Sequence, residues 1–508
     1  MKSDQPDTIL AIDVGTQSVR ALVFDLHGRI VARSQVHIEP YYSNYPGWAE
    51  QDTGVFWDAV GQACRQLWVQ PDVERGALAC CVLTTQRGTV VNVGADGQPL
   101  RPAIIWLDRR RATQLSPISR KWRLLFALGR ASQTVRYVRE NAEANWLLQH
   151  QPDIMRRSHK ILLLSGYLIH QLCGRYVDST SAQVGYVPFN QKKQTWAAET
   201  SWMWQGFAIQ PRHLPELAAP GAVIGAIHAI AAEHTGLPVG LPLVAGGADK
   251  ACEILGSGCI APHLGALSYG TTATINTTHQ RYIEVTPPIP PYTAAIPGRY
   301  SLEVQIFRGY WMVSWFKREF GQHEERIAAE RGIAPEALFD ELVCDIAPGS
   351  EGLVLQPYWT PGVRVPGPEA RGAIIGFRDV HTRAHIYRAI LEGIAYALRE
   401  ATERIVKRSG TPITELRVSG GGSQSDVALQ LTADIFNLPA SRPHTYETSG
   451  LGAAINGAVG MGFYADYADA VRAMVRIRDT FQPDAATHAR YDALYRGVYK
   501  RMYRRLKP

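Results

Sequence analysis

Cysteine is sparse: seven in 508 residues, with no C-x-x-C pair among them. Such spacing offers no disulfide framework and points to reduced thiols in a cytoplasmic protein. No apolar run approaches the roughly 18 residues of a membrane-spanning helix. The polar opening MKSDQPDT, with Asp13 interrupting the next apolar stretch, does not read as a secretory signal. The chain also lacks a low-complexity linker and the pattern G-x-x-x-x-G-K-[ST], which excludes a P-loop enzyme. G-x-G-x-x-G is missing as well. Charge of one sign is not in large excess: 53 basic against 46 acidic residues leave +7. That balance alone does not choose a partner; nucleic-acid binding usually shows as a concentrated Lys/Arg stripe or a recognition motif, and neither a nucleic-acid nor a membrane partner is expected. The densest basic run, KRMYRRLK, closes a segment with Tyr491, Leu494, Tyr495, Val498, Met502 and Leu506 at helical spacing. It reads as a docked amphipathic helix with a solvated basic face.

What is present is an ordinary globular mix, 46% apolar and 19% charged. At this length it suggests two large domains or up to four small ones. Strands are expected at Thr8–Val14, Val19–Asp25, Arg29–Ser34 and Leu241–Ala245. Helical spacing marks Val55–Trp68, Glu143–Gln149, Ala229–Thr235, His385–Arg408 and Asp426–Phe436. Strands followed by helices imply an α/β fold. AIDVGTQSVRALVFD near the N-terminus is echoed by ALSYGTTATINTT from Ala266, each with Gly-Thr at the turn between two strands. Gly15-Thr16 and Gly270-Thr271 stand half the chain apart, which suggests two related domains, 1–258 and 259–508. The run Pro287-Pro288-Ile289-Pro290-Pro291 reads as a stiff excursion within the second domain.

Three segments carry residue types suited to phosphate chemistry. In Asp13-Val-Gly-Thr-Gln-Ser-Val-Arg20, a tight hairpin can aim N–H groups and the Thr16 hydroxyl at phosphate oxygens. Asp13 could hold Mg²⁺ through water, and Arg20 adds a fixed positive charge. Alone, this stretch reads equally as a β-turn with a surface arginine. Gly246-Gly-Ala-Asp249-Lys-Ala-Cys-Glu253 puts a carboxylate where a strand meets a helix. There it could accept a proton from a substrate hydroxyl or simply cap the helix. In Val418-Ser-Gly-Gly-Gly-Ser-Gln-Ser425, glycines between strand and helix permit close backbone approach to a nucleotide.

Together with TTQRGTVV, IIWLDRR, LSYGTTATIN, PGVRVP, HIYRAILEGIAYALRE and ETSGLGAAINGAVGMG, in order over most of the chain, these segments resemble the FGGY carbohydrate kinases. That resemblance implies two ribonuclease-H-like, actin-like ATPase domains flanking a central cleft, a small-molecule sugar or polyol substrate, and MgATP. By likeness Asp249 is the catalytic base and Asp13 the Mg²⁺-associated carboxylate. Gly15, Thr16, Gln17 and Arg20 form the first phosphate motif, and Gly270 with Thr271 the second. Gly309, Gly421, Gly422 and Ser425 fall on the nucleotide. Arg87, Trp106, Asp108, Asp249 and Lys250 fall on the substrate.

Departures from the family pattern bear on the acceptor. Gly88 stands where glycerol kinases carry Glu, Lys250 where they carry Gln, and Ser425 where they carry Asn. Val363 replaces the Glu usual in G-E-R-x-P, and Gln86-Arg87-Gly88 occupies the place of the Met-His pair of xylulokinases. Lys250 is expected to pair with Glu253 one helical turn on. The resulting expectation is a cytoplasmic, xylulokinase-like kinase for a pentulose such as xylulose or ribulose, with a homodimer as the assembly to test. Glycerol or another short polyol is the alternative acceptor. The alternative of another class is an actin- or Hsp70-like nucleotide-switched interaction protein, and a catalytically dead sugar-sensing scaffold is a third.

Overall fold

The apolar stretch Thr8–Val14 forms strand β1, buried at every position but the first. A strand buried on both faces belongs at the centre of a sheet, and β1 lies there. The structure is a computed structural model and describes residues 6–506 except 72, 334, 361, 363–365 and 368. The departure at Val363 lies outside the described residues.

Strand β1 pairs antiparallel with β2 (Ser18–Asp25), in a register that sets Asp13 opposite Arg20. Strand β3 (Ile30–His37) continues the meander. Helix α1 (Thr53–Leu67) then carries the chain back to β4 (Leu78–Thr85), which runs parallel to β1. Next come β5 (Val223–Ala226) and β6 (Pro242–Ala248), giving the order β5-β6-β4-β1-β2-β3. Helix α2 (Asp249–Gly256) leaves the end of β6.

The second half repeats this pattern. Strands β7 (Leu264–Tyr269) and β8 (Ala273–His279) form the hairpin, with β9 (Tyr292–Thr293) and β10 (Tyr300–Ile306) beyond it. The 27-residue helix α3 (Arg383–Ser409) crosses to β11 (Glu415–Ser419), parallel to β7. Helix α4 (Asp426–Phe436) leads to β12 (Ala440–Pro443), which is parallel to β11. Helices α5 (Thr448–Gly460) and α6 (Tyr467–Met474) precede the antiparallel edge strand β13 (Ile477–Phe481). The order is β9-β10-β8-β7-β11-β12-β13. Each sheet thus holds an antiparallel meander, of three strands in the first and four in the second, then two parallel strands and an antiparallel edge. The repeat expected from the two Gly-Thr turns is a repeat of topology. A boundary at residue 258, as proposed from the sequence, falls in the turn between α2 and β7.

The halves share one apolar layer. Leu451 and Ile455 of α5 pack with Ile9, Leu22 and Val82 of the first sheet. Helices α2 and α5 cross at glycines: a Cβ on Gly452 would lie 1.8 Å from the Cys252 carbonyl oxygen, and one on Gly256 1.9 Å from that of Thr448. No backbone accommodates such an overlap without separating the helices. Gly452→Ala is therefore expected to destabilise the chain by about 3 kcal/mol or more. A thermal midpoint within about a degree of wild type would show that the crossing tolerates the methyl group.

Between β4 and β5 a long excursion builds a second small core around Trp146, Leu147 and Phe207. At the C-terminus, Tyr491, Tyr495, Tyr499 and Met502 are buried in the core of the second half, while Leu506 is 49% exposed. Helical spacing there assigns Val498 to the docked face and omits Tyr499. A π-helical stretch over Tyr495–Tyr499 adds a residue to the turn and brings Tyr499 inward.

Candidate active site

Strand ends bring the site together. Asp13 lies near the end of β1, only 6% exposed, with Arg20 Nη1 3.6 Å from its carboxylate. Arg20 also lies 3.6 Å from Glu447, just before α5. Burial raises Asp13 from its ordinary 3.8 to about 7, Arg20 opposing and Asp249, Glu447 and Glu253 adding to the rise. Asp13 and Asp249 therefore share one electrostatic environment.

Asp249 is the first residue of α2, and its carboxylate accepts the Lys250 N–H at 2.7 Å. The N-cap position belongs to Ala248, so Asp249 does not serve as the cap. Its pKa is raised by burial, against Arg87 and Lys250, which favour the charged form. Arg87 Nε lies 4.0 Å from Asp249. A carboxylate whose pKa is raised this way is a stronger base than one in water.

Lys250 donates to Glu253 at 2.6 Å, the expected partner, and to the Ser268 hydroxyl at 2.5 Å. Glu253 also accepts from Ser419 at 2.8 Å. Ser268 is the penultimate residue of β7 and Ser419 the last of β11, so this ion pair joins α2 to both strands. Burial alone would lower Lys250, but Glu253 and Asp249 outweigh it and hold the ammonium charged. Across the join lies Gly270, where a Cβ would sit 3.9 Å from Lys250 Nζ.

The two hairpin tips are pinned differently. Thr16 donates to Gln86 Oε1 at 2.6 Å and accepts from Trp106 Nε1 at 3.0 Å. The Gly15 N–H closes the turn onto the Ser18 carbonyl, and the Gln17 carbonyl accepts from Ile38. In the second hairpin, Tyr310 and Trp311 N–H groups donate to the carbonyls of Gly270 and Thr271. Gly309 lies directly on β8, where a Cβ would overlap Ala273. A Cβ on Gly422 would meet the Tyr310 ring at 2.3 Å, whereas beside Gly421 nothing lies within 4 Å. The Ser425 hydroxyl caps α4 through Ala428 N–H at 3.0 Å and donates to Asp340 at 2.8 Å.

Asp108 departs from its expected place. Its carboxylate accepts three bonds from Arg110 at 2.7–2.8 Å and one from Ala49 N–H at 2.7 Å. It is a buried anchor for the 106–110 turn, while Trp106 stays 36% exposed. Arg87 is engaged by groups the sequence reading omitted. Glu303 accepts from it at 3.0 and 3.2 Å, and its guanidinium stands 5.0 Å from the Tyr292 ring centroid. An acid inside the apolar strand YSLEVQI was the only local signal for Glu303. Gln86, also buried, leaves Nε2 without a partner.

The sequence model described as FGGY family of carbohydrate kinases, N-terminal domain, matches residues 8–256, and that of the C-terminal domain matches residues 265–461. The chain belongs to the FGGY family of carbohydrate kinases. It is 30% identical over 502 residues to an uncharacterised sugar kinase, YgcE, of Escherichia coli K12, covering 97% of this chain and 92% of that one. It is 28% identical over 510 residues to a xylulose kinase of Staphylococcus epidermidis, covering 99% and 97%. The crystal structure of a gluconate kinase from Lactobacillus acidophilus superposes with a TM-score of 0.81 at 22% identity, covering 97% of each chain. This FGGY kinase has the actin-like ATPase fold and is a phosphotransferase, which sets aside the interaction-protein reading. Among the described residues, no helix is long and apolar enough to cross a membrane.

Proposed function

We propose that this kinase transfers the γ-phosphate of MgATP to a hydroxyl of a ketose or polyol, with Asp249 as general base. A pentulose such as xylulose or ribulose is the first acceptor to try, and a short polyol such as glycerol the second. The observation that carries this reading is Asp249 itself: a carboxylate of raised pKa at a strand-to-helix junction, 4.0 Å from Arg87. Phosphoryl transfer asks the protein for placement, charge neutralisation and a proton acceptor, with little covalent work. Asp249 would accept the hydroxyl proton, and Arg87 and Trp106 would orient the sugar. The Gly15–Arg20 and Gly270–Thr271 turns would receive phosphate oxygens, and Gly421, Gly422 and Ser425 the adenosine.

Among the described residues no group of three or more His, Cys, Asp or Glu could chelate a metal. That suits Mg²⁺, which takes one or two carboxylates and completes its shell with water and phosphate oxygens. Asp13 fits this role, because neighbouring acids and burial already hold its negative charge at a disadvantage. Bound there, Mg²⁺ would neutralise charge on the transferred phosphate.

A coupled ADP-release screen across pentuloses, hexuloses, polyols and aldonates tests the reading. Release that depends on one of these alcohols is expected; release no faster than the ATP-only background for all of them would overturn it. Arg87→Ala is expected to raise KM for that acceptor at least about tenfold and to change kcat far less. Unchanged KM over the whole panel would remove Arg87 from the sugar site.

A further inference from the structure

The proline run Pro287–Pro291 has so far no role, and its residues Pro288 to Pro291 border a cavity of about 770 Å³. One wall of that cavity comes from the excursion between β4 and β5, including Thr134, Tyr186 and Trp202. The facing wall includes Pro288 to Pro291. Tyr292 and Glu303, the two groups that hold Arg87, line this cavity and also the small pocket shared by Arg87 and Lys250. The large cavity thus shares Tyr292 and Glu303 with the small pocket beside Arg87, whose Nε lies 4.0 Å from Asp249. Arg87, Tyr292 and Glu303 form the waist between them.

Its volume is in the upper part of the roughly 300–1,000 Å³ range that holds drug-sized ligands, while a pentulose has only about ten non-hydrogen atoms. Aromatic rings and prolines make up much of the lining. Several of the polar groups there are engaged within the protein, although Thr134, Lys192, Thr286 and Gln305 also line the cavity. Tyr186 and Tyr137 hydrogen-bond to each other, and Asn190 Oδ1 accepts two backbone N–H groups. Gln191 donates to the Gln183 carbonyl and accepts from Thr293, and Glu303 is taken by Arg87. A second sugar ring would have to replace several water hydrogen bonds here and would find no partner in the groups already engaged. An apolar group would lose nothing and would gain ring stacking.

Resting on the kinase reading, we propose that the acceptor is a polyol or sugar bearing an apolar, aromatic-sized substituent. Its hydroxyl end meets Asp249, its middle passes the Arg87–Glu303–Tyr292 waist, and its substituent fills the 770 Å³ cavity.

The test compares glycerol and ribitol with their mono-O-benzyl ethers, with maltitol as the second-sugar control, by kcat/KM for ADP release. The ethers are expected to exceed their parents at least about tenfold. Thr134→Trp, which fills the cavity, is expected to erase that advantage and leave the parents unchanged; Ala131→Trp is the second filling variant should the first fail to fold. Parents equal to or better than the ethers, maltitol better than the ethers, or loss of parents and ethers alike in a folded filling variant would each overturn the proposal. Should no alcohol stimulate ADP release, the kinase reading fails separately. Calorimetric binding of 1-O-benzylribitol without nucleotide then decides the cavity: binding abolished by the filling variant supports the site, and absence of binding overturns it.

Discussion

Asn in place of Asp249 is expected to lower kcat by about 10²–10⁴-fold, the range associated with losing a positioned base, while acceptor KM changes less than about threefold. The two side chains are nearly isosteric, and the Asn carbonyl oxygen can still accept the Lys250 N–H that Asp249 accepts now. What disappears is the proton acceptor. Asp249 is disfavoured by burial and by Glu253, so removing its charge carries no structural penalty of its own. The thermal midpoint should hold or rise. Turnover within tenfold of wild type would assign the base elsewhere; a collapse of stability would make Asp249 a folding residue.

Asp13→Asn is expected to act in opposite directions on activity and stability. In the folded chain Asp13 keeps its proton up to about pH 7, against an ordinary value of 3.8. Between those values the folded state binds more protons than the unfolded one, so stability falls as pH rises, and above about 7 the whole penalty is present. Its size is on the order of 4 kcal/mol. Asparagine carries no charge to bury. Without nucleotide, the wild-type midpoint should therefore fall between pH 5 and 8, and the Asn variant should fall less and melt higher at pH 8. Burial raises Asp249 and Glu447 in the same direction, which leaves the variant some residual slope. Activity should drop at least about a hundredfold at every pH, through loss of the carboxylate proposed for Mg²⁺. A variant that melts lower than wild type at pH 8 would contradict the account of Asp13 as a strained acid.

Local chemistry was legible in the sequence. The Gly-Thr turns, Asp13 at a strand end and Asp249 at a strand-to-helix junction are contiguous patterns, and the fold puts each where its pattern places it. Helices Ala229–Thr235 and Asp426–Phe436 are found with the bounds read from spacing alone. The family signature carried the pairing of the halves. Glu303 and Tyr292 were not legible, because topology alone brings β9 and β10 of the second half onto Arg87 of the first. Asp108 was misplaced by nearness in sequence: two residues past Trp106, the backbone has turned and its carboxylate meets Arg110. The π-helical turn at Tyr495–Tyr499 shifted the register of a docked face that ordinary helical spacing had otherwise identified.

A crystal structure of the chain with MgADP, aluminium fluoride and the acceptor selected by the ADP-release screen would bear most directly on the central claim. The account predicts an acceptor oxygen within hydrogen-bond distance of Asp249, in line with the fluoride, and the metal on the Asp13 side of it. An acceptor oxygen held by any other group, with Asp249 out of reach, would contradict it.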